Sequence, residues 1–257
     1  MAWLGDLLTA DITGLTVGGA CRSLLLTPTG RIRADVHVTR HAEGPLLLQS
    51  PDQPEDIGLA LSGYVLSADV ALEDRTQELA LFSFPRGAEP PGGSTATTPS
   101  CLGPGTDVVT PAGEPGRLFA QACVGAGLEE AGPDALERWR ITRGVPRMGP
   151  DFDGASTPAE AGLDGAIDYG KGCFLGQEAV ARIRNLGHPA RVLRHLRAHT
   201  DVRVAEPVFA DGSAVGEVTS AADGTETTLL ARVRWAAASM PLSTADGTTL
   251  IDVPPPV

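Results

Sequence analysis

The C-terminal part of the chain carries the pattern that most restricts its fold. Short apolar runs at 192–196, 207–209, 214–219, 228–235 and 249–253 are separated by turn signals that include Asp211-Gly212, Asp223-Gly224 and Asp246-Gly247. Asp-Gly suits tight hairpin turns because both residues tolerate positive φ, so runs spaced in this way pair as neighbouring antiparallel strands. Strands this short cannot bury an apolar face alone, and the pattern predicts a small C-terminal β-barrel or sandwich.

Upstream, residues 21–26 and 32–38 alternate or run apolar around Thr27-Pro28-Thr29-Gly30, with Pro and Gly where a β-turn takes them. This reads as a β-hairpin. Residues 46–49 suggest a strand, 55–66 an amphipathic helix, and 68–72 and 78–84 two more strands. The order β-α-β-β suits an α+β fold with helices on one face of largely antiparallel sheets. Residues 86–116 are rich in Pro, Gly, Thr and Ser and predict an irregular loop. Helix signals return at 117–126 and at 134–143, where Asp134 can cap the start and Gly144 and Pro146 can stop the end. A second loop-like stretch, 151–168, leads to the segment at Lys171, a helix follows at 177–185, and 254–256 is a frayed Pro-rich end. The expected division is 1–44 with 117–187, a lobe carrying the cysteine segment; 45–116, a β-α-β-β lobe; and 188–257, the barrel lobe.

With 42% apolar residues among 257, the chain can bury a substantial core. Its start lacks a basic stretch followed by an apolar run, and charges, Gly or Pro soon break every long apolar stretch, so a cytosolic protein without a membrane span is expected. Cys21, Cys101, Cys123 and Cys173 form no CxxC pair and no zinc-type spacing; reduced thiols and no metal centre follow. A net charge of −12 argues against nucleic acid as a direct partner.

All but one of the 20 basic residues are arginine, and the single lysine, Lys171, stands two residues from Cys173. A chain that otherwise uses Arg for positive charge keeps one compact ammonium here, and the two cations are not interchangeable. Gly172 and Gly176 flank Cys173 just ahead of the helix at 177–185, where free N–H groups and the helix dipole favour an anion. Beside Lys171, that position suits a reactive thiolate. The alternative is a cysteine that only packs, the reading kept for Cys21, Cys101 and Cys123. A cysteine hydrolase would need a histidine base, and none of His37, His41, His188, His195 and His199 stands in a supporting motif. Arg138, Arg140, Arg143 and Arg147, and then Arg182, Arg184, Arg191, Arg194 and Arg197, form two basic groupings that could hold carboxylates, and Trp139 could stack on a flat heterocycle.

Lys171-Gly172-Cys173-Phe174-Leu175-Gly176-Gln177-Glu178 resembles the K-G-C-[FY]-x-G-Q-E signature of the YgfZ group of folate-binding proteins, relatives of the glycine-cleavage aminomethyltransferase. The resemblance extends to 139–146, 157–163, 8–12 and 26–32. It implies a three-lobed arrangement with a terminal β-barrel, and a tetrahydrofolate ligand or a one-carbon derivative of it. It implies the role of a monomeric accessory protein for assembly or repair of iron-sulfur enzymes, with tRNA modification among the dependent processes and those enzymes as partners. In the aminomethyltransferase the acid of a T-N-D segment assists catalysis, and Asp11 matches it, with Ala10 in place of Asn. Thr142 stands where an R-x-E-x-G segment places a pterin-binding Glu, which weakens the glycine-cleavage alternative. The resemblance also implies a strand and helix ahead of Asp11 that this sequence does not show; a start assigned too late and an incomplete lobe edge are both open. Cys173, Lys171 and Asp11 are the candidates for chemistry, and Trp139, Arg140, Gln177, Glu178 and Arg182 for holding folate. The alternatives are a folate-dependent aminomethyltransferase and a folate-binding module without chemistry.

Overall fold

A computed structural model of the chain describes residues 1–65, 68–85, 88–92 and 96–254. They fall into two compact units, one made of Met1–Leu26, Arg33–Glu130 and Ala166–Leu175, the other of Thr27–Ile32, Ala131–Gly165 and Gly176–Val257.

The first unit opens with a short helix, α1 (Ala2–Gly5), and a sheet in the order β1 (Ala20–Leu26), β2 (Ile32–His41), β3 (Gly44–Leu48). β2 and β3 are antiparallel, from His37 opposite Leu48 to His41 opposite Gly44. The alternation along β2 determines the packing. Ala34, Val36 and Val38 point into an apolar core with Leu4, Leu8, Ile12 and Leu25, which α2 (Ile57–Ser62) closes with Ile57, Ala60 and Leu61. Asp35, His37, Thr39 and His41 take the opposite parity. α2 starts where Asp56 accepts a hydrogen bond from the Leu59 amide at 3.0 Å. It is shorter than the 55–66 expected, whose last residue lies outside the described residues.

The second sheet of this unit runs β4 (Leu79–Pro85), β6 (Gly105–Pro111), β5 (Ala96–Thr97). Two expectations fail here. Residues 68–72 form no strand: Leu72 is exposed, and the Asx turn from Asp74 to Thr76 follows at once, so the run has no sheet to join. Within the supposed loop 86–116, seven residues of β6 pair with β4 from Leu79 opposite Pro111 to Pro85 opposite Gly105. Sequence pattern hides β6 because its central valines are flanked by Asp107, Thr106 and Gly105, and pairing with β4 supplies what alternation does not. Gly105 is required where it stands, since a Cβ there would lie 2.2 Å from the Phe84 carbonyl oxygen. Residues 86, 87 and 93–95 of that loop lie outside the described residues. α3 (Glu114–Gly125) lays Phe119 edge-on against Phe82, with centroids 4.9 Å apart.

The second unit holds α4 (Pro133–Thr142), α5 (Gln177–Leu186) and six strands: β7 (Arg191–Ala198), β8 (Pro207–Ala210), β9 (Ser213–Ala222), β10 (Thr227–Arg234), β11 (Leu242–Ser243) and β12 (Thr249–Asp252). They close into a barrel in the order β10-β7-β12-β11-β8-β9, which meets the sequence expectation. Leu196, Val208, Val218, Leu229 and Val233 fill its interior. Asp211 and Gly212, at φ of 46° and 73°, make the two-residue turn between Ala210 and its partner Ser213. β11 is too short to show in sequence. α4 begins on Pro133 after Gly132, so Asp134 sits inside the first turn, where its charge suits the helix dipole, rather than capping it. Gly144, at φ 67°, stops the chain after α4, and a Cβ there would meet His195 Nδ1 at 2.7 Å. Among the described residues no helix is long and apolar enough to cross a membrane. Pro255 and Pro256 of the expected frayed end lie outside the described residues.

Candidate functional site

In the first unit, the Lys171 ammonium donates to three backbone carbonyls: Gly5 O at 2.6 Å, Leu8 O at 2.6 Å and Ala10 O at 3.0 Å. An ammonium has three donors, so none remains for the Cys173 thiol. Burial pushes the lysine pKa down from 10.5, while the carboxylates of Asp11, Asp168 and Asp6 oppose that shift. The Phe174 ring lies 5.5 Å from Nζ. The structure therefore gives Lys171 an anchoring task in place of the directed thiolate contact that its spacing suggests.

Cys173 is exposed, and no hydrogen bond to its thiol forms among the described residues. Its neighbours are fixed. Phe174 is buried, and the Leu175 amide donates to Asp6 O at 3.1 Å. The helix α5 begins only at Gln177, behind the N-cap Gly176 at φ 81°. Asp11, also exposed, accepts from Thr13 Oγ1 at 2.6 Å and Thr13 N at 2.9 Å. These bonds hold its carboxyl below the ordinary range, with a smaller contribution from Lys171. Asp11 and Lys171 are thus electrostatic neighbours, each favouring the other's charged form.

Trp139, Arg140, Gln177, Glu178 and Arg182 all lie in the second unit. Arg140 is buried and spends all five N–H groups inside the chain. It donates to Glu137 Oε2 and Oε1 at 2.9 and 2.6 Å, to Asp151 Oδ2 at 2.6 Å, to Val145 O at 2.7 Å and to Ser220 Oγ at 2.8 Å. Asp151 is its counterpart. It also accepts from Thr219 Oγ1 and Ser220 Oγ, both at 2.7 Å, and from the Arg147 amide at 3.0 Å. Arg140 thus latches α4 to β9, with no donor left for a ligand. Trp139 is half-buried with the Arg143 guanidinium 5.8 Å from its ring centroid, Gln177 is half-buried at the start of α5, and Glu178 and Arg182 are exposed on that helix.

Sequence reasoning missed Asp151, which carries no motif, and the carbonyls around Lys171, which no side-chain pattern can reveal. It also missed the polar face of β2. There Asp35 takes a two-pronged contact from Arg22 at 2.8 and 2.5 Å, and His37 Nε2 lies 3.0 Å from Pro99 O. The strict alternation at 34–39 was the available signal. Among the described residues, no group of three or more His, Cys, Asp or Glu could hold a metal ion.

No family model matches the chain. It is 34% identical over 117 residues to an aminomethyltransferase of Thermosynechococcus vestitus, a stretch that covers 45% of this chain and 32% of that protein. It is 27% identical over 242 residues to a chloroplastic protein of Arabidopsis thaliana provisionally named a transferase, covering 84% of this chain and 56% of that one. The chain thus spans between a third and somewhat over half of these two relatives. An aminomethyltransferase of Streptomyces coelicolor is 29% identical over 251 residues, 84% of this chain and 67% of its own length. The crystal structure of the glycine cleavage system aminomethyltransferase T from Bartonella henselae superposes with a TM-score of 0.79 over 98% of this chain and 79% of that chain, at 21% identity. The chain is homologous to aminomethyltransferases, and its fold is the T-protein fold.

Proposed function

We propose that this homologue of the aminomethyltransferases is a tetrahydrofolate-binding accessory protein that serves iron-sulfur enzymes through the thiol of Cys173. One observation carries the reading: Cys173 is turned to solvent between neighbours that are held fast, Lys171 by three carbonyls and Leu175 by Asp6 O. A cysteine that served only packing would be buried. The resemblance of 171–178 to the YgfZ signature points the same way, and Thr142 in place of a carboxylate argues against glycine-cleavage chemistry. The protein acts in this reading as a cytoplasmic monomer, with iron-sulfur client enzymes as partners.

Some of the expected residues have free groups of the kind a folate would use. Arg182 is exposed on α5 and forms no ion pair among the described residues, so its planar fork is open to a carboxylate such as the one on folate's glutamate tail. Glu178, one turn earlier, offers an acceptor for ring N–H groups, and Trp139 offers a flat face. Arg140 does not fit, because its donors are spent within the chain. Tetrahydrofolate, when bound, supplies a carrier for a one-carbon unit; the chain's own residues supply the grip and the thiol.

The test is complementation of a strain lacking the endogenous protein, scored by an iron-sulfur-dependent tRNA thiolation. Wild type should restore the modification and Cys173→Ser should not; equal rescue by Cys173→Ser would remove the thiol from the account. The matched relatives favour a second reading, a folate-dependent aminomethyltransferase. Turnover of an aminomethyl donor with tetrahydrofolate would decide for it.

A further inference from the structure

We propose that the carbonyls of Gly5, Leu8 and Ala10 form a site for a monovalent cation, which the chain fills with the ammonium of Lys171 and which free ammonium or potassium enters once that side chain is shortened. Three oxygens converge on Nζ at 2.6, 2.6 and 3.0 Å. Magnesium takes oxygens at about 2.0–2.1 Å, so this cradle is wide for it, and calcium takes about six to eight oxygens, many of them carboxylate, where three neutral carbonyls converge here. Its ligands are neutral backbone carbonyls, the type that replaces the hydration shell of potassium in selective filters. The surroundings favour positive charge: Asp11, Asp168 and Asp6 all stabilise the cation, and the Phe174 ring centroid lies 5.5 Å from Nζ.

The cradle is also built without the lysine. Gly5 N–H donates to Met1 O at 2.9 Å, Leu8 N–H to Leu4 O at 3.0 Å and Thr9 N–H to Leu24 O at 3.0 Å. Ala10 N–H donates to Ser23 Oγ at 2.9 Å, and Thr9 Oγ1 to Ala166 O at 2.7 Å. Shortening Lys171 therefore leaves three carbonyls aimed at one point, an arrangement that a diffusible cation relieves. Asp11 follows Ala10 directly, and Cys173 lies two residues from Lys171. In the function proposed above, Lys171 is thus a positioning residue for both, acting through the cation it places; the cradle itself does not depend on that function.

The experiment follows the thermal midpoints of Lys171→Ala, Lys171→Met and wild type in chloride salts of ammonium, methylammonium, potassium, sodium and tetramethylammonium at equal ionic strength. A ligand selective for the folded state raises the midpoint. Both variants should melt below wild type in tetramethylammonium and recover by a few degrees in ammonium, methylammonium or potassium, and less in sodium, while wild type shows no such ranking. An equal response to every salt, the same ranking in wild type, or failure of both variants to recover in any of these salts would overturn the proposal.

Discussion

Lys171 and Cys173 stand two residues apart and do different physical work. The composition marks Lys171 as special, and the structure shows why arginine is not used: three carbonyls converge on one small cation, and a planar fork cannot present three donors to one point. Lys171→Arg should therefore cost roughly 1–3 kcal/mol in urea denaturation, the scale of an acceptor left unpaired. Stability equal to wild type would show that charge alone suffices there. Among the thiols, burial first, and then Asp11 and Asp107 respectively, push Cys21 and Cys101 up to about 11, and burial also raises Cys123. Iodoacetamide at neutral pH should therefore label exposed Cys173 well ahead of Cys21 and Cys101, as read by mass spectrometry over time; slower labelling of Cys173 would remove the presented-thiol argument. Three histidines set a pH dependence. Burial lowers the pKa of His37, His41 and His195 below 6.5, against smaller opposing contributions from the Pro99 carbonyl, Glu43 and the Ile141 carbonyl respectively. The unfolded chain then binds protons first as pH falls, so stability should hold above about 6.5 and decline below it until the folded-state pKa values are passed. His195→Gln should flatten part of that decline, and an unchanged slope would assign it elsewhere.

The elements divide by how much of their stability is local. The Asp211-Gly212 hairpin and the apolar strands around it were legible because turn chemistry and alternation act within a few residues. β6 was not, since its pairing partner β4 lies some twenty residues away in sequence and its own pattern is interrupted by Asp107, which is buried and accepts from Ser100 Oγ at 2.5 Å and the Cys101 amide at 2.7 Å. The run at 68–72 failed for the converse reason, having local alternation but no partner among the described strands. α4 was legible, but its fastening to the barrel through Arg140 and Asp151 joins residues far apart in sequence, which no periodicity shows. Arg140→Met leaves the fully buried Asp151 carboxylate without its cation and should cost about 3–5 kcal/mol. Glu137→Ala, on the more exposed side of the same guanidinium, should cost under about 1 kcal/mol. Equal losses in chemical denaturation would contradict a latch centred on Asp151.

For the molecule as a whole, homology to aminomethyltransferases and the T-protein fold leave room for several chemistries, because a fold hosts functions through its sites. The candidates for chemistry, Asp11, Lys171 and Cys173, gather in one unit, and the candidates for folate in the other. The sequence singled out both sets through a motif and a composition bias, while the bonding that fixes them, backbone carbonyls in one unit and a buried carboxylate in the other, was invisible to it. The proposed binding of a reduced folate is open to calorimetric titration of wild type and Arg182→Ala with tetrahydrofolate. Wild type should bind one folate per chain saturably, with a rise in melting temperature, and Arg182→Ala should weaken that binding several-fold. No heat and no thermal shift in wild type would mean that the chain does not bind folate.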